Sequence, residues 1–269
     1  MIIFKSINKL NKYIENIDNI GFVPTMGTIH DGHSSLIKKS KKICKKTLVS
    51  IFVNPKQFNN KKDLKKYPRN ISKDLNILKS LKVDYVLIPK IKDVYRDRVK
   101  KIKLTNKDKI LCAKYRSGHF EGVLQVINQF FKMIKPKIMF LGEKDFQQMI
   151  LIKNFLRNKY NVKIIPCKTI RHNKGYAYSS RNERLNKKKD FKILSIVAVK
   201  LKRFYLSIKK NLNNKKNIKH LKNVLKDYSV KIEYLEIRNK KNLSTKFNKN
   251  NFKIFIAYYY KNIRFIDNF

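Results

Sequence analysis

Gly21-Phe22-Val23-Pro24-Thr25-Met26-Gly27-Thr28-Ile29-His30-Asp31-Gly32-His33 is the stretch around which the chain is organised. Gly21 to Thr25 is apolar without alternation, the texture of a strand buried on both faces of a parallel sheet, and it breaks into a loop at Met26-Gly27. From about Gly32, residues Leu36, Ile37, Ser40 and Ile43-Cys44 recur at helical spacing, which predicts a helix. Downstream, Thr47–Val53 reads as a second buried strand stopping at Asn54-Pro55, Asp74–Leu81 as a helix, and Tyr85–Ile88 as a third strand. This alternation predicts an α/β fold, a Rossmann-like parallel sheet with flanking helices.

The pattern resumes with a helix over Val123–Ile134, a strand over Ile138–Leu141 that leads into Gly142-Glu143-Lys144-Asp145, a helix over Phe146–Leu156, and a strand over Val162–Ile165 closed by Pro166. After Asn186 the texture changes. Helices over Phe191–Ile208 and Ile218–Asp227, with strands over Val230–Ile237 and Phe252–Phe265, predict a smaller C-terminal α+β domain. We place the boundary near Ile170, giving domains 1–170 and 171–269. Asn211–Lys219 and Lys240–Asn251 read as mobile polar loops.

Composition narrows the function classes. The 269 residues carry 65 Lys+Arg against 18 Asp+Glu, a net charge of +47, yet 42% are hydrophobic, which excludes a disordered basic tail. Lysine is spread along the chain beside abundant Asn and Ile, residues that share A/T-rich codons, so base composition explains the charge as well as a polyanionic partner does. A specific nucleic-acid partner is not expected. No window approaches a membrane span of about 18 apolar residues, and Met1–Leu10 lacks an apolar segment of signal-peptide length. Cys44, Cys112 and Cys167 form neither a disulfide framework nor a zinc motif. Together these features predict a cytoplasmic protein.

Three constellations carry chemistry. His30-Asp31-Gly32-His33 lies where a strand gives way to a helix, and backbone N–H groups with the helix dipole make such a junction attractive to phosphate; equally, one imidazole can cap the helix while the other lies on the surface. Lys144 and Asp145 follow a strand, where ligands of open α/β sheets gather, although Lys144 is also an ordinary turn residue among many lysines. Tyr178-Ser179-Ser180-Arg181-Asn182 offers two hydroxyls and a guanidinium fork to a polyphosphate, or serines that cap the next helix. Gln57 and Gln148 are candidate ligands of a small polar substrate. Neither standard glycine-rich phosphate loop is present.

Taken in order, these motifs resemble the pantothenate synthetase (pantoate–β-alanine ligase) family of nucleotidyltransferases with HxGH motifs. The likeness rests on Val23-Pro24-Thr25-Met26-Gly27 with His30 and His33, Val49–Pro55 with Gln57-Phe58, Tyr67-Pro68-Arg69, Gly118-His119-Phe120, Phe140–Gln148, Ser179–Asn182, Tyr234–Arg238 and Arg264–Asn268, nearly the whole chain. It implies that pantoate and ATP form a pantoyl adenylate and pyrophosphate, after which β-alanine releases pantothenate and AMP. It implies Mg2+ on the triphosphate, with Asp74 as a metal ligand, and a homodimer.

By the same resemblance, Met26, Gly27, Thr28, Ile29, His30, Asp31, Gly32, His33, Gly142, Glu143, Lys144, Asp145, Ile170, Tyr178, Ser179, Ser180 and Arg181 contact ATP. His33, His30, Lys144, Ser179 and Arg181 are the catalytic set, and Gln57 and Gln148 hold pantoate and β-alanine. Departures are Lys73 where members often have a second acid, Ser117 in place of Pro, Arg96-Asp97 in place of Pro-Gly, and the bulky Tyr178. Two alternatives are a basic nucleic-acid-binding protein with a degenerate ligase pocket and a sister nucleotidyltransferase that transfers the nucleotide itself.

Overall fold

The computed structural model describes residues 1–269 except 96–100, 158 and 186, so the Arg96-Asp97 departure lies outside the described residues. The chain divides into two compact units: Met1–Glu143 with Gln148–Lys168, and Lys144–Gln147 with Thr169–Phe269.

The first unit is built on a six-stranded sheet of β1 (Ile2–Phe4), β2 (Ile20–Thr25), β3 (Lys46–Ile51), β4 (Tyr85–Leu87), β5 (Ile138–Gly142) and β6 (Lys163–Cys167). Its order is β1-β4-β3-β2-β5-β6, and every pairing is parallel. From β2 the chain winds first towards β3 and later towards β5 on the other side, so the winding reverses between β2 and β5. In open parallel sheets ligands gather at the carboxyl ends of strands beside such a reversal. Phe22 on β2, Leu48 on β3, Leu87 on β4 and Phe140 on β5 have no exposed surface, and each buried side chain of this size contributes about 1.5 to 3 kcal/mol. The helix Asp31–Ile43 packs on this sheet, and its Ser40 hydroxyl bonds the Thr47 hydroxyl of β3 at 2.8 Å.

Some boundaries differ from the sequence reading. Pro166 lies inside β6 opposite Leu141 instead of closing the strand; β6 is an edge, where a missing N–H costs no ladder bond. The helix expected from Val123 begins at His119, after Gly118 takes φ 78°. β1 is three residues, too short for periodicity to reveal. The helix Ile7–Ile14 was also missed, although Ile7, Leu10 and Ile14 share a buried face and Ser6 caps it.

The second unit holds the antiparallel sheet β7 (Lys231–Asn239), β8 (Phe252–Tyr260) and β9 (Ile263–Asn268), in that order. The helix Lys188–Lys210 supplies Leu194, Val197, Leu201 and Ile208 at helical spacing to a core shared with Leu221 and Leu225 of Ile218–Lys226 and with Ile254, Ile256 and Phe265 of the sheet. β8 and β9 are joined by Lys261-Asn262, at φ 49° and 59°, the two left-handed residues that match a hairpin turn to strand twist. The polar segments Asn211–Lys219 and Lys240–Asn251 contain turns held by asparagine side chains. Asn211 caps a 3-10 turn over Leu212–Asn217, while the Asn239 amide donates to the Lys246 carbonyl at 3.0 Å and its oxygen accepts from Lys241 N at 2.8 Å.

Candidate functional site

At the carboxyl end of β2 the chain is held by short polar contacts. Thr25 Oγ1 donates to the Ser50 carbonyl at 2.7 Å and accepts from Gly27 N at 3.2 Å. Gly27 and Thr28 take φ 79° and 53°, a left-handed pair in which the β-branched Thr28 costs on the order of 1 to 3 kcal/mol. That strain is offset by anchors: Thr28 Oγ1 donates to the Pro68 carbonyl at 2.8 Å, Thr28 N to Asp74 Oδ2 at 2.9 Å, and Ile29 N to Asp74 Oδ1 at 2.7 Å.

His30 ends this loop as the N-cap of the helix Asp31–Ile43, with its Nδ1 accepting from Gly32 N at 3.1 Å. His33, at the third helical position, reaches back so that its Nδ1 accepts from His30 N at 3.4 Å. The two rings lie 4.1 Å apart, centroid to centroid, at 31°. Because each Nδ1 is an acceptor, each neutral ring carries its proton on Nε2. The capping role and a phosphate-donor role are therefore compatible, and the dipole of a 13-residue helix adds positive potential at the same place. Gly142 ends β5 and Glu143 begins the turn after it.

Gln57 is 9% exposed at the end of a short 3-10 turn. Its Nε2 donates to Met26 Sδ at 3.0 Å, so the structure brings together two sequence-predicted residues. Gln148 is the first residue of the helix Phe146–Arg157 that belongs to the first unit, and it is partly buried.

The support of Gln57 was not anticipated. Asn54 is 1% exposed; its amide donates to Gln57 Oε1 and to the Gly122 carbonyl, both at 3.0 Å, and its oxygen accepts from the Tyr95 hydroxyl at 2.7 Å. Burial pushes the Tyr95 hydroxyl well above its ordinary range, so it remains a donor. His119 holds the Gln57 carbonyl, and Gly122 lets the helix His119–Ile134 approach so closely that a Cβ there would be 2.2 Å from the Lys56 carbonyl oxygen. In a chain with only 7 glycines, Gly118 and Gly122 were the signal available.

In the second unit, Lys144 and Asp145 form a turn in which Nζ is 3.8 Å from Oδ1. The turn is pinned by the Asn268 amide, which donates to the Lys144 carbonyl at 2.9 Å, and by Phe146, whose ring is 5.8 Å from that of Phe255. Ile170 and Tyr178 face each other across a small loop, with Tyr178 N donating to the Ile170 carbonyl at 3.3 Å and Arg171 bridging Ala177. The Arg171 guanidinium grips Asp267 through two bonds of 2.8 Å. Ser179 Oγ accepts from Arg181 N at 3.3 Å and caps the 3-10 turn Ser180–Arg184. The serine therefore caps its own loop, not the next long helix.

Among the described residues, no group of three or more His, Cys, Asp or Glu side chains is placed to hold a metal ion. Asp74, expected as a magnesium ligand, is 2% exposed with both oxygens accepting backbone N–H groups. Among those residues no helix is long and apolar enough to cross a membrane.

A family model described as pantoate-beta-alanine ligase matches residues 2–269. The pantothenate synthetase of Francisella tularensis subsp. novicida is 38% identical over 278 residues, covering 100% of this chain and 97% of that protein. The bifunctional pantoate ligase/cytidylate kinase of Prochlorococcus marinus is 39% identical over 85% of this chain but 46% of its own length. The pantothenate synthetase of Leptospira interrogans is 45% identical over 68% of this chain and 65% of its own length. The match thus spans about half of the bifunctional relative and two thirds of the Leptospira protein. A crystal structure of pantoate-beta-alanine ligase from Francisella tularensis, complexed with beta-gamma ATP and beta-alanine, superposes with a TM-score of 0.87 at 37% identity, covering 100% of this chain and 97% of that one. A pantothenate synthetase structure from Thermus thermophilus gives 0.88 at 25% identity, covering 100% and 99%.

Proposed function

The chain belongs to the pantoate-beta-alanine ligase family, and on that premise we propose that it condenses pantoate with β-alanine at the expense of ATP, releasing pantothenate, AMP and pyrophosphate. A pantoate carboxylate oxygen attacks the α-phosphorus, the bond to the bridging oxygen breaks, and pyrophosphate leaves. The β-alanine amine then attacks the acyl carbon, and AMP departs with the former carboxylate oxygen. A carboxylate is already ionised near neutral pH, so the first step needs no general base. It needs in-line positioning and neutralisation of charge building on the phosphates.

The observation that carries this reading is the histidine pair, its rings 4.1 Å apart and tilted by 31°, on a helix N-terminus at the switch point of a parallel sheet. Each Nδ1 accepts a backbone N–H at the helix cap, and we assign the Nε2–H of each ring as a donor to the transferring phosphate. We assign Met26–His33, Gly142–Asp145, Ile170 and Tyr178–Arg181 to ATP, and Gln57 and Gln148 to pantoate and β-alanine. His30, His33, Lys144, Ser179 and Arg181 supply donors and positive charge. Magnesium enters as the counterion of ATP, and no step is assigned to a metal held by the protein. The enzyme is proposed to act as a homodimer in the cytoplasm, a reading in keeping with three buried free cysteines.

An oxygen-label experiment tests the chemistry. Pantoate carrying 18O in its carboxylate is expected to pass one labelled oxygen to AMP, the signature of an acyl adenylate. Label recovered in phosphate or pyrophosphate, with AMP unlabelled, contradicts it.

A further inference from the structure

We propose that Asp74 is a positioning residue of the nucleotide loop and not a ligand of magnesium. The inference rests on the reading that residues 27–29 lie at ATP.

Asp74 is in the first turn of the helix Ile71–Ser80 and is 2% exposed. Burying a carboxylate is costly unless hydrogen bonds replace its water, and the replacements come from a distant loop: Thr28 N at 2.9 Å on Oδ2 and Ile29 N at 2.7 Å on Oδ1. Charge-assisted bonds of this kind are roughly twice as strong as neutral ones. They grip the loop where it is most strained, at the left-handed Gly27-Thr28 pair. The loop also closes over the carboxylate, since a Cβ on Gly27 would lie 2.8 Å from Asp74 Oδ2. The backbone that Asp74 holds thus packs directly against both carboxylate oxygens, where a metal ion would have to bind. His30 follows Ile29 directly, so the clamp also sets where the helix cap and the imidazole pair begin.

The two roles separate in the metal dependence of ATP binding. In Asp74→Asn the amide keeps one acceptor, but its NH2 faces a second N–H and the clamp is half lost. ATP affinity, measured by calorimetry on the full-length protein, is expected to fall roughly 10- to 100-fold, by the same factor in EDTA and in excess magnesium. The KM for ATP rises with it while kcat changes less. A loss seen only with magnesium present overturns the proposal.

His33→Ala, assayed for AMP formation, separates the underlying site reading. If its turnover collapses while Asp74→Asn binds ATP normally, the clamp alone is refuted; if its turnover is normal, the site reading has failed and the clamp with it. Hydrogen exchange on the unsubstituted protein covers the case of a variant that does not fold. The Thr28 and Ile29 amides are expected to be protected without nucleotide, and exchange at the rate of an open loop overturns the inference.

Discussion

His119 Nδ1 lies 2.6 Å from the main-chain carbonyl oxygen of Gln57, while its Nε2 lies 2.7 Å from an Arg116 guanidinium nitrogen. A carbonyl only accepts and a guanidinium only donates, so the ring is neutral with its proton on Nδ1. The histidine thereby fixes the backbone of a residue assigned to the acyl substrate without being part of that assignment.

His119→Ala is expected to raise the KM for pantoate roughly tenfold, the value of one to one and a half kcal/mol for a lost buried hydrogen bond, with a smaller effect on kcat. His119→Asn, whose amide can donate to the same carbonyl, recovers part of the loss. Steady-state kinetics with pantoate varied checks both variants.

Gly122→Ala places a Cβ 2.2 Å from the Lys56 carbonyl oxygen and 2.8 Å from Gln57 N. Both atoms are backbone and cannot swing aside, so the helix and the Gln57 turn must separate. The expected cost is about 1 to 3 kcal/mol by urea unfolding, accompanied by weaker pantoate binding.

Arg171 joins the loop that carries Tyr178 to Arg181 to the last strand through its fork on Asp267, a side chain 7% exposed. Removing one partner leaves the other charge uncompensated, and Arg171→Met is expected to destabilise the second unit by about 3 kcal/mol. Adding Asp267→Asn to that variant should restore part of the loss, which a double-mutant cycle in thermal unfolding measures.

Burial pushes the Cys167 thiol up to about 11, with nearby Lys39 opposing the shift and Glu143 adding to it. The folded value exceeds the unfolded value of 9.0. The unfolded state therefore loses its proton first, and the stabilising contribution is complete below pH 9 and lost as pH rises towards 11. Unfolding free energy should fall more steeply across this window in the native protein than in Cys167→Ala. Equal slopes would contradict the assignment.

Much of the fold was legible because its signals are local. β2, β3, β5 and the helices that follow them are apolar runs or stripes long enough to show their period, and the histidine junction is contiguous. Features joined over long sequence separations were not legible. The Asp74 clamp links positions 45 and 46 residues apart, and the His119–Gln57 contact links positions 62 apart. The resemblance implies a metal role for Asp74, and no local pattern in the sequence shows that its carboxylate faces the Thr28 and Ile29 amides. Pro166 misled because Pro reads as a terminator unless the strand is known to be an edge. The Asn-rich segments looked featureless, yet Asn211 and Asn239 use their side chains to build turns.

The most direct test of the ligase assignment is AMP release by the purified protein with pantoate, β-alanine and ATP each omitted in turn. AMP is expected to accumulate with all three present and to stop when any one is withheld, while with only β-alanine missing a single turnover of pyrophosphate is still released. Steady AMP formation without pantoate, or none with all three in a folded protein, would contradict it.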